Sequence, residues 1–287
     1  MIIILVISLA SITLYSSRLF FKDLINSDKD LEKDVHVLPT SIIGFIAYFF
    51  DTLGIGSFAP LTTLLRAFKQ TKDKLIPGTL NVSAMIPVMI EAFVFITIIE
   101  VQSLTLIAMV FAATIGSIAG ASIISKFSEK TIQLVIGLAL ISTATLMFLG
   151  QIEWIKDLGV GKDIGLTGIK LLIASTINFV LGACQAAGIG MYAPSMALVY
   201  FLGLSPQVAY PIMMASSAFA LPSASIEYIK KGAYNKKASI YITITGILGV
   251  LIAAFIVRSL NLYHLTWIVI FIIVYTGVTL LYKVFRS

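Results

Sequence analysis

The chain has 287 residues, 59% of them hydrophobic and only 12% charged, with a formal net charge of +6 and a mean hydropathy of +1.01. That is about half the charge of an average soluble domain, which excludes a water-soluble fold and leaves no room for a separate soluble catalytic domain. The basic excess lies in short connections between apolar runs rather than on one helix face, so it reads as topology determination and not as a nucleic-acid surface.

The first apolar run, residues 2–15, has no basic residue ahead of it, whereas Arg18, Lys22, Lys29 and Lys33 follow. A cleavable signal wants the opposite order, so residues 2–21 predict a retained helix with its N-terminus outside. Residues 22–38 interleave lysines with acids and predict a solvated loop or surface helix; residues 1–40 form one N-terminal region. Apolar segments then run at 41–68, interrupted at Gly54 to Gly56, and at 75–99, 103–125 and 131–149. A second set follows at 170–203, interrupted at Gly188 to Gly190, and at 206–229, 238–257 and 264–282. Residues 41–149 and 170–287 are therefore two membrane repeats joined by a linker, 150–169.

The two interrupted segments are copies of one another. Residues 41–84 laid on 175–218 without a gap give twelve identities in 44 positions, densest at Gly54-Ile55-Gly56 with Ala59-Pro60, and at Gly188-Ile189-Gly190 with Ala193-Pro194. Apolar segments interrupted by glycine and proline at matching places in two halves point to a transport site near the bilayer midplane. Arms of 11–13 residues, about 41–53 and 57–68, span roughly 16–20 Å as helix and stop inside a ~30 Å hydrocarbon core. Each interrupted segment is accordingly expected to be a re-entrant helical hairpin, with the two tips meeting near the centre; a kinked spanning helix is the alternative.

Charge placement sets the orientation. Arg66, Lys69, Lys72 and Lys74 follow the first broken segment and Glu100 follows the next helix, while in the second half the equivalent first link is uncharged and Lys230, Lys231, Lys236 and Lys237 occupy the next. The pattern is inverted. The positive-inside rule then places 66–74, 126–130, 230–237 and the Lys283/Arg286 tail in the cytoplasm, with 100–102, 150–169, 203–207 and 258–263 outside. The expected fold is all-α and polytopic, with two inverted repeats, each a broken re-entrant hairpin plus three transmembrane helices, and an extra N-terminal helix.

Non-helical backbone at membrane depth must face protein or a wet cavity. The tips are therefore candidate substrate-binding elements: Gly54, Ile55, Gly56 and Ser57 in one, Gly188, Ile189 and Gly190 in the other. Each precedes a new helix N-terminus, whose unpaired N–H groups and partial positive charge suit a small oxyanion. Gln185 and Asn81 can add amides, and Ser217 a hydroxyl at the depth matched by Ser83. Asp51 and Glu91 are intramembrane acids and so proton-carrier candidates, although Asp51 reads equally as a cap on loop amides. Cys184 next to Gln185 reads either as a sulfur contact or as a small buried hydrophobe, and as the single cysteine it supports neither a disulfide nor a cysteine metal cluster. Gly116-x-x-x-Gly120 permits close helix approach. No Walker loop, metal spacing or nucleophile elbow is present, so neither an enzyme nor a cofactor is expected.

The segments FFDTLGIGSFAP and CQAAGIGMYAP, with the basic link KKGAYNKK before the last two helices, resemble the TauE/SafE family of sulfite exporters from residue 40 onward. The resemblance implies an inner-membrane carrier of sulfite, sulfoacetate or a related small anion, with its site between Gly54, Gly56 and Ser57 and Gly188 and Gly190. Phe58 and Tyr192 depart from the small residues expected after the glycines. The expected partners are a small anionic substrate and the bilayer, with no nucleic acid; a cation carrier using Asp51 and Glu91, and an intramembrane thiol enzyme using Cys184, are the rival readings.

Overall fold

The computed structural model describes residues 2–26, 32–124, 128–152, 154, 161–186 and 190–286. Apolar segments without water partners must satisfy their own amides, and helix is the local way to do so. Eleven α-helices form among the described residues: α1 (Ile2–Ile25), α2 (Val37–Leu53), α3 (Phe58–Ala67), α4 (Ile76–Ile98), α5 (Ser103–Ile124), α6 (Glu129–Gln151), α7 (Gly168–Ala186), α8 (Tyr192–Phe201), α9 (Ala209–Lys230), α10 (Lys236–Ser259) and α11 (Leu262–Arg286). Six helical stretches are long and apolar enough to cross a membrane. The chain is a multi-pass helical membrane protein.

The element order repeats. Adding 134 to the bounds of α3 gives those of α8, and the same offset carries α2, α4, α5 and α6 onto α7, α9, α10 and α11 to within three residues at every end. Even the single 3-10 turns that precede α4 and α9, Asp73–Leu75 and Pro206–Val208, fall one residue from this register.

Two expectations about element length need correction. The segment 22–38, expected as a solvated loop or surface helix, begins as a continuation of α1 to Ile25, and Phe20 and Leu24 near that helix end pack with Val82, Met85, Ile229 and Tyr234. The hairpin arms are unequal: α2 and α7 have 17 and 19 residues, about 25–29 Å, whereas α3 and α8 have 10 each, about 15 Å. The first arms gain length upstream, where Pro39 sits in the first turn of α2 and needs no N–H partner.

The chain divides into two compact units, Met1–Val94 with Ser217–Ile256, and Phe95–Ser216 with Val257–Ser287. In the first, α2 lies against α10 at backbone range: a Cβ on Gly44 would strike Ile242, one on Gly249 the Phe45 carbonyl, and one on Gly246 the Tyr48 ring. In the second, α5 and α7 interlock through two glycines, Gly116 against the Phe179 carbonyl and Gly182 against the Ala113 carbonyl. Small residues let helix backbones approach where lipid offers no hydrophobic drive for association. Gly137 on α6 and Gly277 on α11 pack on Leu281 and Ile141 in the same way. Under the 134-residue offset α5 corresponds to α10, so each long hairpin arm packs on a helix of the other repeat. The compact units consequently mix helices from 41–149 and 170–287.

Candidate functional site

Each broken element doubles back, and its two ends are tied together. In the first unit the His36 amide, just ahead of α2, donates to Gln70 Oε1 at 2.7 Å, and the Thr40 hydroxyl donates to the same oxygen at 3.0 Å. Gln70 lies three residues beyond α3 and is 2% exposed. Asn235, in the link before α10, donates its backbone N–H to Thr79 Oγ1 at 2.9 Å. The connections around 36, 70–79 and 235 thus share one end of this unit.

In the second unit a lysine and backbone bonds make the closure: Lys170 Nζ, at the start of α7, donates to Leu202 O at 3.3 Å. Ser205 N, beyond α8, donates to Asp163 O at 2.9 Å, with a parallel bridge between Asp163 and Leu204. Gln102 N donates to Ile164 O at 2.8 Å, and Leu166 N to Thr105 Oγ1 at 2.8 Å. The links at 102–105, 163–166 and 203–205 therefore meet. Where the second unit has Leu204, the 134-residue offset places Gln70 in the first.

The corner of the first hairpin is built by two glycines. Gly54 ends α2 at φ +108, with its N–H on Asp51 O at 2.7 Å and Ile55 N–H on Phe50 O at 3.1 Å, the paired bonds of a left-handed helix stop. Gly56 follows at φ +89, again a conformation that a side chain resists. Ser57 then starts α3, with Leu61 N–H on its carbonyl at 2.9 Å and no side-chain cap of its own helix. Of the second corner, Gly188 and Ile189 lie outside the described residues. Gly190 is exposed and has no positive φ, so the two sequence-identical glycines Gly56 and Gly190 differ in backbone.

Polar side chains gather behind the first corner. Asp51 is 2% exposed, Ser57 3%, and Tyr48, Thr52, Ser83 and Glu91 are fully buried. The hydroxyl and amide of Ser57 lie beside the Asp51 carboxyl, while Asp51 Oδ2 has no hydrogen-bond partner. The Tyr48 hydroxyl faces Ser83 and Ser57 without closing a hydrogen bond of good geometry to either. The Thr52 hydroxyl lies 2.8 Å from Tyr48 O and 2.8 Å from Glu91 Oε1. A hydroxyl has one hydrogen to give, so Thr52 serves one of these two acceptors at a time. Tyr48 and Thr52 escaped the sequence reading, though Tyr48 stands three residues before Asp51 and four before Thr52, spacings that share a helix face.

The remaining candidates are more dispersed. Asn81 Nδ2 donates to Pro77 O at 2.8 Å in its own helix, and the Asn81 carbonyl accepts from Ser225 Oγ at 2.9 Å. Ser217 is buried on α9. Gln185 is half-buried in the last turn of α7. Cys184 packs with Ala183 against Ile132 and Ile136, the setting of a small hydrophobe. Among the described residues no three acidic, histidine or cysteine side chains cluster as metal ligands.

Fold and site together define a polytopic helical membrane protein with two doubled-back broken elements. Compared with known proteins, the chain matches no family model, no curated protein and no solved structure.

Proposed function

We propose that the chain is a secondary transporter of a small oxyanion or organosulfur anion, sulfite-like in charge and size, working by alternating access in a cell inner membrane and related to the TauE/SafE exporters. The observation that carries this reading is the first hairpin: two positive-φ glycines turn the chain between α2 and α3, and the new helix starts in a buried setting at Ser57. An oriented helix start of this kind holds an anion without a full lysine charge that would slow its release. The same Gly-Ile-Gly sequence recurs at 188–190.

The proposed repeats are inverted. A hairpin that returns to its own face, followed by three spanning helices, leaves the chain on the opposite face, where the next repeat begins. The basic links 66–74 and 230–237 fall on one side in this scheme and Glu100 on the other, the cytoplasmic side being the basic one, and the C-terminus is cytoplasmic. The hydrogen bonds that join 70 and 79 to 235 suit that grouping.

A cation carrier is the second reading, favoured by the two buried acids Asp51 and Glu91. Purified protein in proteoliposomes separates the two: sulfite flux that responds to an imposed pH gradient is expected, and flux of a metal cation without flux of sulfite or a related anion overturns the anion reading.

A further inference from the structure

The Asp51 carboxyl already lies at the start of α3, beside the Ser57 N–H and hydroxyl, the groups that a bound oxyanion would take from this corner. The carboxyl is buried, its Oδ2 lacks any partner, and the equally buried Tyr48 hydroxyl beside it is also unpartnered. A buried polar group left unpaired is costly, so both atoms mark a place that is incomplete as it stands.

We propose that Asp51 is a built-in competitor for the transported anion, displaced from the α3 start by its own protonation, so that one proton and one anion bind together. This rests on the anion-transport reading and fixes its coupling. A proton adds to the bare Oδ2; the neutral acid holds the Ser57 donors less strongly than the carboxylate does; the anion accepts them. Loss of that proton on the far side restores the carboxylate, which expels the anion. One proton and one anion enter and leave the corner together, so the bound anion never faces the ionised Asp51 carboxylate.

The surroundings suit a single switch of this kind. Tyr48 from α2, Ser83 and Glu91 from α4 and Ser57 at the start of α3 are the groups arranged about the corner, and α10 presents Gly246 to the Tyr48 ring. None of the described ion pairs brings a lysine or arginine to Asp51. The second repeat places Gly182, Gln185, Ala186, Met191 and Ser225 where the first has Tyr48, Asp51, Thr52, Ser57 and Glu91. The Asp51 carboxyl thus has no counterpart in the second repeat, and the proposed coupling uses its single proton.

The test is calorimetric binding of sulfate, whose charge is fixed between acid and neutral pH, and of sulfite to the full chain in detergent, repeated in buffers of different ionisation enthalpy to count protons. Wild type should take up about one proton per sulfate, its affinity rising up to about tenfold per unit fall in pH where Asp51 titrates, the slope of one linked proton. Asp51→Asn should bind sulfate with a flat pH profile and no proton uptake. Sulfate or sulfite binding to wild type without proton uptake, or the wild-type proton count surviving in Asp51→Asn, overturns the coupling while leaving anion transport intact. Absence of any binding by wild type overturns both. The wild-type proton count decides the matter even if the variant does not fold.

Discussion

The His36 amide and Gln70 Oε1, 2.7 Å apart, join the beginning of α2 to the chain beyond α3, and the same oxygen takes the Thr40 hydroxyl at 3.0 Å. A single buried side chain therefore closes a hairpin of more than thirty residues. Gln70→Leu would install the residue that the other repeat carries at Leu204, but without the Ser205 to Asp163 backbone bond that performs the closure there. Thr40 is fully buried, so its hydroxyl loses a partner it cannot replace with water, at about 1–3 kcal/mol. Thermal unfolding in detergent should show a lowered midpoint for Gln70→Leu. An unchanged midpoint would mean that the hairpin is held by its packing alone.

The glycines separate into three kinds, and alanine substitution should rank them. At Gly116 and Gly182 a Cβ would meet the Phe179 and Ala113 carbonyls, and since backbone cannot move aside as a flexible side chain can, each alanine should cost at least the ~1–3 kcal/mol of an overpacked core. At Gly56 there is space, with no heavy atom within 4 Å, but φ is +89, so the cost is the roughly 1–2 kcal/mol of a left-handed residue. Gly190 has space and an ordinary φ; alanine there should leave stability unchanged. Unfolding midpoints of the four variants in one detergent check the order, and a Gly190→Ala variant as damaged as Gly116→Ala would contradict it.

What the sequence disclosed follows from how locally each feature is encoded. Helix ends were legible because apolar runs stop at charges, glycines and prolines, and the stop at Gly54 is written in the residue that alone tolerates it at no cost. Length of the hairpin arms was not legible, because Val37-Leu38-Pro39 precede the region of repeat identity and look like a linker. The compact units were hidden for a different reason: α2 finds α10, about 200 residues away, through Gly44 and Gly249, and no short-range pattern announces a long-range partner. Asp51 is legible as an intramembrane acid, but its place beside Ser57 depends on the turn at Gly54 and Gly56, which brings a residue six positions on back toward it.

Sidedness has a direct check. Glu100 and Lys231 are exposed and lie at opposite ends of the crossing scheme. Cysteines placed at these two positions in a Cys184→Ala background should differ in intact cells: Glu100→Cys should react with a membrane-impermeant maleimide, and Lys231→Cys only after the cells are opened. Cys184 is 2% exposed, so replacing it removes background without removing a surface group. Equal labelling of both positions in intact cells would require repeats that run in the same direction.

At the end of the first unit where its basic links gather, α1 is clasped by a small polar network. The Tyr234 hydroxyl donates to Asp23 Oδ2 at 2.6 Å, and Lys236 Nζ lies 2.9 Å from the same oxygen. Glu32 accepts the backbone amides of Lys236 and Lys237 at 2.9 and 3.1 Å, covering the start of α10. Burial, followed by the hydrogen bond to Asp23 and the negative charges of Asp23 and Glu32, pushes the Tyr234 phenol well above its ordinary value of 10.0. The folded state therefore binds the phenolic proton more tightly than the unfolded chain does. Its contribution to stability is complete below about pH 10, where the unfolded phenol also keeps its proton, and it declines as pH rises from there through the folded value. Tyr234→Phe keeps the ring on Phe20 and Val82 but gives up the bond to Asp23, so it should be less stable than wild type by about 1 kcal/mol at neutral pH. Its stability should then fall less steeply than that of wild type on the alkaline side. Unfolding midpoints measured from neutral to strongly alkaline pH check both statements, and parallel alkaline slopes for the two proteins would show that the phenol does not titrate against this clasp.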